Sequence, residues 1–237
     1  DPDSFLAKHK AVREFCFNRT GAMAGFVGNE ESAQFNRAAA TDFLMKLDEK
    51  PIEKAEYDFG TRPASEALIV DGNVNYNLLF AGWDALGLEG YDGAMDAVTA
   101  YVSDVYLYPL LRDQYGAYGV IHYASDSGVY VISYRDPNLT ETFQVYASLP
   151  ELIKQDDPDQ ETLNGYIQSA YSSYALSNGE LADGFSALLS FIDGDAQEDA
   201  ITAMQQLKSI TPETFKGYAA LYEKLIANGA VGTAGSA

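Results

Sequence analysis

Apolar positions recur along the chain with two periods, and the changes between them mark out its elements. Over residues 4–17 the apolar positions Phe5, Leu6, Val12, Phe15 and Phe17 predict a helix ending near Asn18. Ala22 to Gly28 is a short apolar run and predicts a buried strand. Ser32 is placed to cap a helix bearing Phe35, Ala39, Phe43, Leu44 and Leu47. Residues 48–65 are charged, carry Pro51 and Pro63, and lack periodicity, which reads as a linker. Glu66 to Val70 and Val74 to Ala81 then read as two strands around Asp71-Gly72-Asn73, a hairpin-like signal. Asp92 opens a long helix with Met95, Val98, Val102, Val105 and Leu110 on one side. Pro109 within it predicts a kink or boundary near Tyr108. Tyr118 to Ala124 and Val129 to Tyr134 read as strands joined by Ser125-Asp126-Ser127-Gly128.

Asp136-Pro137-Asn138 breaks the chain into a helix reaching about Lys154, and the remainder is mostly helical. Asp157-Pro158 and Thr211-Pro212 each read as an N-cap followed by proline at the first helical position. Asn228-Gly229 reads as a left-handed helix stop, with a final short strand from Gly229 to Thr233. The predicted class is α+β: an antiparallel sheet of five to six strands with helices packed mainly on one face.

Charge removes several function classes. The 35 acidic side chains against 15 basic ones give a net charge of −20. A nucleic-acid partner is not expected, because phosphate recognition needs a basic footprint. Anionic membrane surfaces are disfavoured for the same reason. The imbalance is steepest over residues 137–237, which hold 4 basic and 14 acidic side chains. Such a field solubilises the protein and steers cationic peptides toward it. No window is apolar enough to span a membrane. Cys16 is the single cysteine, so an internal disulfide framework is excluded and a reducing compartment is expected. The acidic, polar start without Met suggests a piece cut from a longer polypeptide.

Local motifs for chemistry are missing. His9 and His122 are the two histidines, and neither opens H-E-x-x-H or H-x-x-E-H. Cys16 lies two helical turns from His9, roughly 10 Å, too far to share one zinc. No nucleophile elbow or phosphate-binding glycine loop occurs, and carboxylates are too numerous for any pair of them to be diagnostic.

The informative stretch runs from Tyr106 to Leu139. It reads Tyr-Leu-Tyr-Pro-Leu-Leu-Arg-Asp-Gln-Tyr-Gly-Ala-Tyr-Gly, then Ser-Gly-Val-Tyr-Val-Ile-Ser-Tyr-Arg-Asp-Pro-Asn-Leu. This resembles the C-terminal, non-zinc-binding half of metallopeptidases of the pitrilysin/insulinase superfamily, in the presequence-protease branch. The resemblance implies a half-clam domain that closes with the N-terminal half of the same polypeptide around a peptide chamber. Zinc would sit in that N-terminal half, with no metal and no other cofactor in this part. It divides the chain into residues 1–50, the closing strand and helix of the preceding domain; 51–65, a linker; and 66–237, the C-terminal peptidase-like domain. It carries the family's catalytic and substrate-binding Arg and Tyr onto Arg112 and Tyr118, as donors to the substrate backbone or the developing oxyanion. Short unstructured peptides are the implied substrates, and the acidic charge balance, not the resemblance, adds the expectation that cationic ones are favoured. A cytoplasmic location is implied, or an organellar matrix in a eukaryote.

Two alternatives stay open at this level. Arg112 could instead pair with an acid, and Tyr118 could pack in the sheet. The whole could be an inactive peptidase-like scaffold. Arg135 reads as half of a structural ion pair. Tyr115 stands where relatives usually carry Gly, and reads as narrowing the approach to Tyr118.

Overall fold

The structure is a computed structural model, which describes residues 1–58, 60 and 65–235. Along the chain come α1 (Pro2–Cys16), α2 (Glu30–Leu44), β1 (Ser65–Ile69), β2 (Asn75–Ala81), α3 (Trp83–Leu86) and α4 (Ala94–Val102). Helix α4 runs on as a π-helix over Ser103–Gln114. Then follow β3 (Gly119–Ser125), β4 (Gly128–Asp136), α5 (Thr140–Gln155), α6 (Gln160–Ala175) and α7 (Glu180–Asp193). The chain closes with α8 (Gln197–Leu207), α9 (Pro212–Gly217), α10 (Ala219–Asn228) and β5 (Ala230–Gly235).

These elements form two compact units, one of Asp1–Gly60 with Ser177–Ala196, the other of Thr61–Leu176 with Gln197–Ala237. In the first, α1, α2 and α7 contain no buried residue, and large apolar side chains such as Phe35 and Phe191 stand open to solvent. The 22–28 run forms no strand; it is irregular, for among the described residues its unit offers no strand to pair with. Asn29, not Ser32, caps α2, accepting from the Ser32 amide at 2.9 Å. The proposed linker at 51–65 includes residues 59 and 61–64, which lie outside the described residues.

The second unit holds an open five-stranded sheet in the order β1-β5-β2-β4-β3. The β3–β4 hairpin forms as the Ser125–Gly128 turn predicts, with Ile121 opposite Ile132 and Tyr123 opposite Tyr130. The two strands around Asp71-Gly72-Asn73 form but do not pair. Strand β5 enters between them, parallel to β1 and antiparallel to β2. Its Ala-Val-Gly-Thr-Ala-Gly sequence offers little bulk, so the last strand fills this slot with backbone hydrogen bonds rather than side-chain packing.

The core lies on one face of the sheet. Leu79, Val129 and Val131 turn toward it and meet Leu107, Leu111, Tyr146, Phe215 and Tyr222 from the helical layer. Phenol–carboxylate contacts tie that layer together. The hydroxyls of Tyr101 and Tyr106 both donate to Asp156, and although burial acts the other way, these bonds hold its carboxyl below the usual range. Helix α6 is capped by Asp159, which accepts from Thr162 at 2.8 Å, while the Asp157 carboxylate is engaged by Lys216 at 2.7 Å. Thr211-Pro212 does cap α9 as expected. Gly229 is extended, with φ −71°, rather than left-handed. Glycine is required there because a Cβ would lie 2.3 Å from the backbone carbonyl oxygen of Leu225.

Candidate functional site

Arg112 and Tyr118 come together where the π-helix hands the chain to edge strand β3. The helix survives Pro109 by widening its turns: the amide of Tyr115 reaches back five residues to Leu110 O at 3.1 Å, and that of Ala117 six to Leu111 O at 2.9 Å. A wider turn tolerates the proline that would break α-helical bonding, and such segments recur at functional sites. Tyr106, Leu107 and Leu111 anchor the core-facing side, so the next residue, Arg112, emerges into solvent near the helix C-terminus. That is the end of the helix dipole that favours a cation. Gly116 then turns the chain with φ +80°, a conformation costly for any residue with a Cβ.

Tyr118 stands just ahead of β3 with its side chain 57 % exposed. Its amide donates to Arg135 O at 3.3 Å. The Arg112 guanidinium carbon lies 5.9 Å from the centre of the Tyr118 ring, within cation–π range. Arg112 has no acid within 4 Å among the described residues, and Tyr118 is not packed away.

Sequence reasoning missed Arg135 as a member of this cluster. It makes no ion pair among the described residues; instead its guanidinium carbon lies 5.4 Å from the same Tyr118 ring. Tyr134 completes the group, edge-on to Tyr118 at 5.6 Å. Tyr115 packs its ring against the core, and so does not narrow the approach to Tyr118 as expected.

What sets this arrangement is a β-bulge. Opposite β2, Asn75 pairs with Asp136 and Asn77 with Ser133, so β4 carries one extra residue around Tyr134 and Arg135. Bulges re-aim side chains. Just beyond it, the fully buried Asp136 carboxylate accepts from Ser133 Oγ and Thr142 Oγ1, each at 2.6 Å, from the Asn138 amide at 2.9 Å and from Asn77 Nδ2 at 3.3 Å. Asn138 Nδ2 also holds the Tyr115 carbonyl at 2.7 Å, which joins the bulge to the end of the π-helix.

Away from the helices the sheet presents a second surface. Alternation puts Tyr76, Leu78 and Phe80 of β2, Tyr130 and Ile132 of β4, and Ile121 and Tyr123 of β3 on the open face. Tyr123 stacks on Tyr130 at 4.7 Å and Phe80 leans on it at 4.5 Å. An aromatic, partly exposed wall thus lies on the side opposite the helices. A separate cleft of about 710 Å³ belongs to the other unit, lined by residues 22–26, α2, Leu188 and Phe191. It contains none of the site side chains.

The histidines do not suit a catalytic zinc. His122 uses both ring nitrogens inside the fold. Its Nδ1 faces the Tyr130 carbonyl at 2.7 Å and must donate, so Nε2 accepts from the Tyr222 hydroxyl at 2.6 Å. Burial pushes its pKa down to about 4. His9 lies against Phe5 in a tilted ring contact, centroids 4.3 Å apart, on the exposed α1. Among the described residues no group of three or more His, Cys, Asp or Glu could hold a metal ion. Nor, among them, is any helix long and apolar enough to cross a membrane.

The sheet unit thus combines an open five-stranded sheet with its core on one face, a bulged β4 and an arginine–tyrosine cluster at the sheet edge. The PreP C-terminal domain family matches residues 65–232, and the chain belongs to that family. Protein HypA of Clostridium perfringens is 27% identical over 220 residues, covering 92% of this chain and 22% of that protein. Presequence protease 1, chloroplastic/mitochondrial, of Arabidopsis thaliana is 27% identical over 230 residues, covering 92% of this chain and 20% of that protein. The chain therefore spans about a fifth of the length of these relatives. Among solved structures, the inactive domain of an M16 peptidase from Pseudomonas fluorescens superposes with a TM-score of 0.58 at 15% identity, covering 86% of this chain and 51% of that one.

Proposed function

We propose that this chain is the C-terminal, catalytically incomplete part of a zinc-dependent oligopeptidase that encloses and degrades unstructured peptides. Its partner is the N-terminal half of the same polypeptide, which holds the zinc. The observation that carries this reading is the exposed pairing of Arg112 with Tyr118 at the edge of the sheet, in a chain of the PreP C-terminal domain family. A guanidinium and a phenol O–H at this point are donors for a substrate carbonyl. As water attacks that carbonyl in the other half, the same donors meet the oxyanion. The aromatic open face offers apolar contact to an extended peptide.

In the same reading residues 66–237, a span that takes in the sheet unit's strands and also Ser177–Ala196 of the first unit, are the last domain, and residues 1–50 close the one before it. The unburied apolar side chains of α1 and α2 support this second assignment, since more of the same polypeptide would cover them.

The test is made in the full-length polypeptide. Arg112→Ala and Tyr118→Phe are expected to lower kcat by about 10²–10³, with KM changing much less and bound zinc unchanged. A Tyr118→Phe enzyme of normal turnover but lower melting temperature would mean that the hydroxyl serves the fold. Normal turnover in both variants would leave the inactive scaffold as the better reading.

A further inference from the structure

Arg135 combines three features that a surface arginine does not need. First, it is the one non-glycine residue among those described with a left-handed backbone, at φ +49°. Such a conformation persists where surrounding structure enforces it, and it concentrates at binding and catalytic sites. Here the enforcement comes from both sides: the Asp136 carboxylate is locked by buried donors, and the Arg135 carbonyl is held by the Tyr118 amide. Second, the bulge that produces this conformation brings the side chain to the ring that Arg112 also approaches, at 5.4 and 5.9 Å. Third, neither guanidinium has a carboxylate within 4 Å among the described residues, in a chain where acids outnumber bases by 35 to 15. Two like charges are gathered at one phenol with no internal counter-ion, an arrangement that a bound anion relieves.

We propose that Arg135 and Arg112 form a carboxylate-binding clamp beside Tyr118, whose single O–H stays with the substrate carbonyl, and that the anion is a carboxylate of the bound peptide. Planar guanidinium forks suit a carboxylate, and their open position leaves them free to engage it. The carboxylate comes either from an acidic side chain near the held carbonyl or from the peptide's own C-terminus. The proposal rests on the peptide-enclosing function above. It does not conflict with an acidic protein surface, because that field acts on approach and the clamp acts on contact.

The experiment uses the full-length polypeptide and a set of peptides with one scissile bond. One arm moves an Asp/Asn pair through the positions around that bond; the other compares free and amidated C-termini. At one position, or at the C-terminus, the carboxylate form is expected to be turned over with about tenfold higher kcat/KM than its neutral twin. Arg135→Asn removes the guanidinium while keeping a residue that tolerates left-handed backbone, so the fold is retained. It should bring that ratio close to one with little change in melting temperature, and Arg135→Lys should keep part of it. The arm that shows the ratio identifies the source of the carboxylate. An unchanged ratio in Arg135→Asn, or no acid preference in either arm, overturns the clamp even if Arg112→Ala and Tyr118→Phe still lose turnover. If those two variants also turn peptides over normally, the underlying functional reading falls with it.

Discussion

The ring of Tyr134 lies across Gly119 on the neighbouring strand, so that a Cβ at position 119 would fall 2.6 Å from Tyr134 Cζ. The two residues are cross-strand partners, and the missing side chain on β3 lets the ring lie flat and reach Tyr118 edge-on. Gly119→Ala is therefore expected to displace Tyr134 and disturb Tyr118, lowering peptide turnover by the full-length polypeptide. The overpacking should cost about 1–3 kcal/mol in urea unfolding. Tyr134→Ala removes the clash, so adding Gly119→Ala to it should cost much less than Gly119→Ala alone. Strict additivity in that double-mutant cycle would show that the two residues do not act through each other.

Asp136 is expected to control the site without being part of it. Asp136→Asn replaces an acceptor-only carboxylate by a group with its own donors, facing the donors of Asn77, Ser133, Thr142 and Asn138. Loss of a buried, multiply bonded carboxylate should cost about 3 kcal/mol and release the bulge. Equilibrium unfolding measures the first effect. Loss of the acid preference assigned to Arg135, measured on the fraction still folded, checks the second.

His122 predicts a pH dependence of stability. Folding lowers its pKa from 6.5 to about 4, chiefly by burial. Between those values the unfolded chain binds a proton that the folded chain does not. Stability therefore falls as pH drops from about 6.5 toward about 4, by about 3 kcal/mol over the full window, and is independent of this residue above it. Urea midpoints at pH 7.5, 6.0 and 5.0 should slope less steeply in His122→Asn than in the parent. Parallel slopes would assign the dependence to other groups.

The acidic surface should favour cationic peptides during approach. Turnover of a basic peptide at low substrate concentration is expected to fall as salt rises, since screening sets in within about 10 Å at 0.1 M. An acidic peptide should respond in the opposite sense. Equal salt dependence for both would remove long-range steering from the account.

Much of this protein was legible from local signals. Alternation located β2, β3 and β4, and the Ser125–Gly128 turn fixed their one hairpin, because strand face and turn chemistry are short-range properties. Gly116 marked the bend between Arg112 and Tyr118, and its φ of +80° is the reason only glycine is comfortable there.

Tertiary structure decided the rest. A hairpin-like turn at Asp71-Gly72-Asn73 cannot reveal that β5, more than 150 residues away in the chain, will enter between the strands it joins. Pro109 reads locally as a break, and only packing of Leu107 and Leu111 into the core keeps the helix going as π turns. Arg135 looked like half of an ion pair because the sequence shows an acid beside it. That acid, Asp136, points the other way into a buried network, since neighbours on a strand face opposite sides. The bulge then leaves the arginine beside Tyr118, and a one-residue offset between two paired strands is a property of their register, not of either sequence alone.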